Sequence, residues 1–271
     1  MNHKIVIGGL GGSGTRVYAQ ILKNIDYYLG SELNKELDNL LFTRLFKNAS
    51  WYQLSDNKDI CERLKLFYDI MSGQNTTPEI EINNLIAANL TYPSASYSYH
   101  SEKYTIHDSW GWKEPNSHIY IKQIAQTISN LKFILVVRNG LDMAFSSNIQ
   151  QLNNWGELLF NIAYDKNDEE SVARAQLEYW IKANNRAIKA GILYLRDNFL
   201  VCNFDKLCSN PTTEIIRILH FLGYKASSDL ILQLSSLPKA PSSVDRYRRT
   251  KIKFSSETLI KVHKLNVGLP L

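Results

Sequence analysis

The sequence predicts an α/β fold, a central and mostly parallel sheet flanked by helices, and two segments carry that prediction. In the first, the apolar run Lys4-Ile5-Val6-Ile7 breaks into Gly8-Gly9-Leu10-Gly11-Gly12. It then passes through Ser13-Gly14-Thr15-Arg16 into the helical stretch Val17-Tyr18-Ala19-Gln20-Ile21-Leu22. In the second, Lys132-Phe133-Ile134-Leu135-Val136-Val137 is a continuous, β-branched apolar run, as expected of a strand covered on both faces of a parallel sheet. It ends at Arg138-Asn139-Gly140-Leu141-Asp142, and Met143-Ala144-Phe145-Ser146-Ser147 then takes on helical character.

Strand, glycine-rich turn and helix, in that order, make an anion cradle. Glycines let backbone approach a ligand closely, and the N–H groups of a first helical turn have no partner within the helix. Ser13 and Thr15 add hydroxyls there, and Arg16 adds a fixed cationic fork suited to phosphate or sulfate oxygens. The plain alternative is a tight strand-to-helix turn. A Walker A loop would require Gly-Lys-Ser/Thr, whereas Gly14 is followed directly by Thr15. Gly9 to Gly14 satisfies Gly-x-Gly-x-x-Gly literally. Glu32 lies near the distance at which a dinucleotide site wants an acid, but Tyr27-Tyr28-Leu29-Gly30 before it is too short to define a strand.

Between the two segments, Leu37, Leu40, Leu41 and Leu45 give Leu33 to Phe46 a helical spacing. Asp59 to Met71 carries Ile60, Leu64, Phe67 and Ile70, and Pro78 to Leu90 is a third candidate helix. Tyr92 to His100 is polar, tyrosine-rich and without periodicity, which predicts an exposed loop. Arg138 then falls at the carboxyl end of a central strand, where open α/β sheets place their ligands, and Ser146 follows eight residues later, about two helical turns on. Asp168 to Ala190 predicts a long helix containing Tyr179 and Trp180. No repeat or linker divides the chain, so residues 1–271 are expected to form a single domain.

Taken together, the two sites resemble the sulfotransferases that use 3′-phosphoadenosine 5′-phosphosulfate (PAPS), whose architecture is P-loop NTPase-like. In that family an N-terminal strand–loop–helix holds the 5′-phosphosulfate, and Gly12-Ser13-Gly14-Thr15-Arg16 occupies that place. The family's Arg and a Ser eight residues later bind the 3′-phosphate, matched by Arg138 and Ser146. Trp112-Lys113-Glu114-Pro115 is similar to the family's Gly-x-Lys-x-Pro segment. Phe199 to Leu207 is similar to its late strand, and Ile215 to Gly223 to its closing helix. Ser242 to Arg248 resembles the C-terminal loop that covers the cofactor. The family's usual basic residue before Ser-Gly-Thr is Gly12 here, and the Thr that follows is Arg16.

The resemblance implies sulfonate transfer from PAPS to a hydroxyl or amine of a carbohydrate or small molecule, by in-line displacement and with no metal. The implied cofactor contacts are Gly11, Gly12, Ser13, Gly14, Thr15, Arg16, Arg138, Ser146, Arg246, Tyr247 and Arg248. Charge near the moving sulfonate comes from Arg16 or Lys113, unless Lys113 is spent on an ion pair with Glu114. The general base is expected at Glu32, which follows Gly30-Ser31, with His107 as the other candidate; Glu36 and Asp38 look more like surface groups or caps. A nucleotide kinase or hydrolase, or a nucleotide-binding protein without catalysis, is the alternative. A kinase would, however, need the missing loop lysine.

Composition is compatible with this. Thirty-one Lys and Arg against 26 Asp and Glu give a balance of +5, which suits a polyanionic cofactor without requiring nucleic acid. Cys61, Cys202 and Cys208 are odd in number and lack Cys-x-x-Cys spacing, which argues against a disulfide frame or zinc site and for a reducing compartment. Met1-Asn2-His3 runs straight into the first strand and no apolar stretch approaches a membrane span, so a cytoplasmic protein is expected.

Overall fold

Four parallel strands form one sheet in the order β2-β1-β3-β4 in the computed structural model, which describes residues 3–89, 99–101 and 107–271. They are β1 (Lys4–Gly9), β2 (Gly111–Lys113), β3 (Leu131–Val137) and β4 (Phe199–Asn203). Val6 of β1 lies opposite Trp112 on one side and Phe133 on the other. Helices α1 (Thr15–Lys23), α2 (Leu40–Phe46), α3 (Ala49–Leu54), α4 (Asn57–Met71) and α5 (Glu79–Asn89) lead from β1 to β2. Helix α6 (Ile121–Thr127) lies between β2 and β3. Between β3 and β4 come α7 (Gly140–Ala144), α8 (Glu157–Phe160) and α9 (Glu169–Tyr194). After β4 follow α10 (Phe204–Ser209), α11 (Pro211–Leu222), α12 (Ser228–Ser235) and α13 (Ser256–Asn266).

Alternation along the strands divides the core in two. Ile5, Ile7, Ile134 and Val136 pack with α1, α10, α11 and α12 through Tyr18, Ile21, Leu207, Ile215, Leu222 and Leu234. Val6, Phe133, Leu135 and Val137 pack into a larger aromatic core with Phe42, Phe46, Phe67, Trp155 and Trp180. Both faces are therefore buried, which explains why β1 and β3 read as unbroken apolar runs. In α11, Ile215, Ile218, Leu219 and Leu222 make one buried stripe, each contributing about 1.5–3 kcal/mol of apolar burial.

The helix expected over Leu33 to Phe46 shortens to α2. Asn34 Oδ1 accepts from the backbone N–H groups of Glu36 and Asp38 and closes a turn, and Leu37 has φ of 62°. Asn39 then caps α2 by accepting from Phe42 N. Short polar side chains that bond nearby backbone compete with helix, and here they win. Tyr99 also departs from expectation. It is buried, and its N–H donates to Asn83 Oδ1 at 2.7 Å, whereas His100 is exposed. Tyr92 to Ser98 lie outside the described residues. The helix expected over Asp168 to Ala190 continues to Tyr194, with Asp168 as its cap. Among the described residues no helix is long and apolar enough to cross a membrane.

Candidate active site

All four strands deliver residues to one cavity of about 430 Å³ at their carboxyl ends. Gly11, Gly12, Gly14, Thr15 and Arg16 follow β1, Lys113 ends β2 and Glu114 to Asn116 follow it, Arg138 follows β3, and Phe204 follows β4. This edge, where connections leave the sheet on opposite sides, is where parallel sheets form crevices. Gly14 caps α1 in the left-handed region with φ of 90°, and a Cβ there would meet the Phe204 ring at 2.3 Å. Only glycine lets the chain turn tightly enough to aim the first turn of α1 into the cavity. Arg16 is exposed and lines both this cavity and an adjoining one of about 430 Å³, shared with Gly14, Phe204 and Lys239.

Arg138 is only 5% exposed. Its Nη1 donates to Gly12 O at 3.2 Å and its Nη2 to Ser243 Oγ at 2.6 Å. Its Nε has no hydrogen-bond partner and stands 4.0 Å from Asp205 Oδ1. Ser13 Oγ is likewise buried without a partner. Trp180 of α9 fixes the strand end by donating from Nε1 to Arg138 O at 3.1 Å. Ser146 sits nearby: a Cβ placed on Gly12 would lie 4.0 Å from its Oγ, which accepts from Asn148 N. The C-terminal segment folds against α7, with Arg246 Nε donating to Asp142 O and Asp245 N to Asp142 Oδ2. Tyr247 N reaches Asp142 Oδ1 at 3.5 Å, and Arg248 pairs with Asp245 in solvent. Arg246, Tyr247 and Arg248 do not line the cavity; Lys239 and Pro241 of the same segment do.

On the opposite wall, Lys113 is buried, and its Nζ donates to Asp38 Oδ1 and, at 3.0 Å, to Glu36 O. The ion pair weighed against a sulfonate role for Lys113 is thus with Asp38, carried by the Asn34 turn, and not with Glu114. Glu36 and Asp38 both line the cavity. Glu32 pairs with Arg44 at 2.7 Å and is not on the cavity wall. His107 stacks on Tyr28 with ring centroids 3.9 Å apart and is not on it either. Of the three residues expected to act chemically, the structure brings Lys113 alone to the cavity.

Asn116, Asn148, Gln150, Gln151 and Lys47 also line it, and sequence reasoning missed them. Polar residues clustered just after Ser146 were the available signal for Asn148 to Gln151. Lys47 had none, because the fold of α2 brings it across to donate to Gln150 Oε1 at 2.8 Å.

Burial pushes the Glu114 carboxyl up to about 7, Asp38 adding to the rise while Asn116, Lys47 and Lys113 oppose it. Burial pushes the neighbouring His118 imidazole down to about 4. The consequences for stability have opposite signs. The fold keeps a proton on Glu114, so that contribution is full below the ordinary carboxylate range and is lost as pH rises through about 7. The fold keeps His118 neutral, so its contribution is full above the ordinary imidazole range and is lost as pH falls towards about 4. Glu114→Gln is therefore expected to gain stability relative to the parent as pH rises from 5 to 7, by about 1 kcal/mol per pH unit. Urea unfolding at both pH values measures this, and a difference independent of pH refutes it.

Comparison with known proteins gives the family. Residues 4–228 match the model of the sulfotransferase family. The chain belongs to that family. No curated protein matches. Among solved structures, it is similar to the sulfotransferase STF9 from Mycobacterium avium, with 14% identity, 96% of this chain and 75% of that one covered, and a TM-score of 0.50. Identity that low speaks to fold alone. It is also similar to the sulfotransferase domain of the Synechococcus PCC 7002 olefin synthase (16% identity, 98% and 93% covered, TM-score 0.47). The sulfotransferase domain from the curacin biosynthetic pathway matches at 13% identity, with 100% and 99% covered and a TM-score of 0.49.

Proposed function

We propose that this chain moves a sulfonate group from PAPS to a hydroxyl or amine of a small-molecule or carbohydrate acceptor. The observation that carries the reading is a pair of buried atoms without hydrogen-bond partners at the carboxyl edge of the sheet: Arg138 Nε, whose residue lines the cavity, and Ser13 Oγ, in the loop whose neighbours Gly12 and Gly14 line it. A buried polar group left unbonded is costly, and an anionic ligand oxygen would satisfy each. The two lie on loops after adjacent strands, as two separate phosphate groups of one nucleotide require.

In this reading Gly11 to Arg16 hold the 5′-phosphosulfate on the first turn of α1, and Arg138 with Ser146 hold the 3′-phosphate. Arg246, Tyr247 and Arg248 brace the segment that closes over it. PAPS supplies an activated sulfonate; the chain supplies position and charge, which dominate in transfers of this kind. Lys113 and Arg16 are the cations for the moving group, and no metal is invoked. Convergence of all four strand ends on one cavity supports reading residues 1–271 as one domain. Three free cysteines suit a reducing, cytoplasmic setting.

Calorimetry tests the donor. 3′-Phosphoadenosine 5′-phosphate (PAP) is expected to bind about 10²-fold more tightly than ADP, the difference being one charge-assisted phosphate contact. Equal or tighter binding of ADP overturns the assignment in favour of a general nucleotide site.

A further inference from the structure

We infer that Glu114 takes the acceptor's proton, and that Asn116 and Gln151 hold it in register with the glycine loop. Sulfonate transfer, as proposed above, is the premise.

Five acidic or basic side chains compete for the role, and their surroundings separate them. Glu32 and His107 stand off the cavity, one against Arg44 and the other against Tyr28. Asp38 is on the wall, but it is spent as the counter-ion of the Lys113 ammonium, Oδ1 accepting from Lys113 while Oδ2 accepts from Asn34 at 2.8 Å. Glu36 has a side chain 43% exposed, drawn outward towards Lys35. Glu114 lines the cavity and is only 2% exposed.

A buried hydrogen-bond chain fixes how Glu114 presents itself. Gly11 N donates to Gln151 Oε1 at 2.8 Å, and Gln151 Nε2 donates to Asn116 Oδ1 at 2.9 Å. Trp155 Nε1 donates to the same Asn116 oxygen at 3.1 Å. Two donors on Oδ1 orient the Asn116 amide, so its Nδ2 must face Glu114, where it donates to Oε1 at 2.9 Å. Asn116 N donates to Glu114 Oε2 at 2.6 Å. Each carboxylate oxygen therefore accepts one bond from a group that can only donate, and each keeps another lone pair. A proton arriving at Glu114 has to settle on a lone pair turned away from Asn116. Capping the short 3₁₀ segment Pro115–Tyr120 explains the bond from Asn116 N. It does not explain the second bond or the connection back to Gly11.

Charged and titratable groups face this carboxylate from each neighbouring element: Asp38 before α2, Lys47 at its end, Lys113 on β2 and Tyr120 at the end of the 3₁₀ segment. Burial outweighs the two lysines and the Asn116 bonds, leaving Glu114 near 7, where a base both loses and accepts a proton readily. Glu114 takes the hydroxyl proton as the acceptor oxygen bonds to sulfur and the bond from sulfur to the nucleotide phosphate oxygen breaks. Lys113 stands by to donate to that departing oxygen. The Gln151 bond to Gly11 N joins the loop that holds the donor to the residue that receives the proton.

Protein labelled with ¹³C at the glutamate carboxyls reads protonation without any acceptor. One resonance is expected to titrate near pH 7 and to be absent from Glu114→Gln. Release of sulfate from PAPS, with water as acceptor, is expected to rise through the same pH and to fall about 10²–10⁴-fold in Glu114→Gln. PAP affinity by calorimetry should stay close to the parent's. Asn116→Ala removes one donor, so both the resonance midpoint and the pH limb should move upward together by roughly 0.5–1 unit. That shift decides the matter even if Glu114→Gln fails to fold, since a merely structural glutamate would not move the pH profile. Unchanged sulfate release and pH profile in Glu114→Gln, or no glutamate titrating above pH 6, overturns the inference. Failure of the parent itself to bind PAP overturns the sulfonate reading instead.

Discussion

Arg138→Ala is expected to weaken PAP binding by about 2–4 kcal/mol, or about 30- to 10³-fold, because a charge-assisted contact in a partly desolvated site is lost. The cause is visible at the strand end, where the guanidinium is almost fully buried and its Nε has no hydrogen-bond partner. The same substitution also frees Gly12 O and Ser243 Oγ, which both depend on this side chain. Some general loosening of the loop will therefore accompany it. Adenosine 5′-phosphosulfate, which lacks the 3′-phosphate, separates the two effects: its affinity should change by no more than about threefold, under 1 kcal/mol. Equal losses for both nucleotides in calorimetry mean that Arg138 is structural.

Lys113→Met is expected to lower turnover by about 10²–10³-fold, the usual result of removing one preorganised donor from developing negative charge. Methionine keeps the length and apolar stem of the side chain, so packing against β1 should survive. What is lost is the ammonium, along with its bonds to Asp38 and to Glu36 O. Breaking a buried ion pair is itself destabilising by about 3–5 kcal/mol, since Asp38 is left without its counter-charge. The double variant Lys113→Met, Asp38→Asn resolves the ambiguity. It should recover most of the stability in urea unfolding but little of the turnover; recovery of both would make the pair structural. Turnover is read as PAP formed from PAPS, so the acceptor need not be known.

The sheet was legible because its physics is local. β1 and β3 bury both faces, so their runs stay apolar without interruption, and the glycines after β1 and the arginine after β3 mark the loops that line the cavity. Asp56 and Asp59 cap α4 reciprocally, and the stripe from Ile60 to Ile70 follows at helical spacing, so that helix could be placed from sequence. Asn34 and Asn39 illustrate the opposite case. Both lie within the stretch of helical spacing, yet their side chains bond nearby backbone and delay the start of the helix to Leu40. Propensity alone cannot weigh those competing bonds, because they depend on where the chain already runs.

Residue identity and order determined the fold class, the glycine-rich loop and the partnership of that loop with Arg138, since each rests on neighbours in sequence or on strands that must end at one sheet edge. Tertiary structure decided which charged side chains share the cavity. Glu32 fits the motif by position, but Arg44, one turn into α2, takes its carboxylate away. Glu114 looked like the partner of Lys113 because the two are adjacent. In an extended strand, however, successive side chains point to opposite faces, so Lys113 reaches Asp38 while Glu114 turns to Asn116. Ion pairs form in three dimensions between groups brought together by packing, and burial then sets which of them holds a proton at neutral pH.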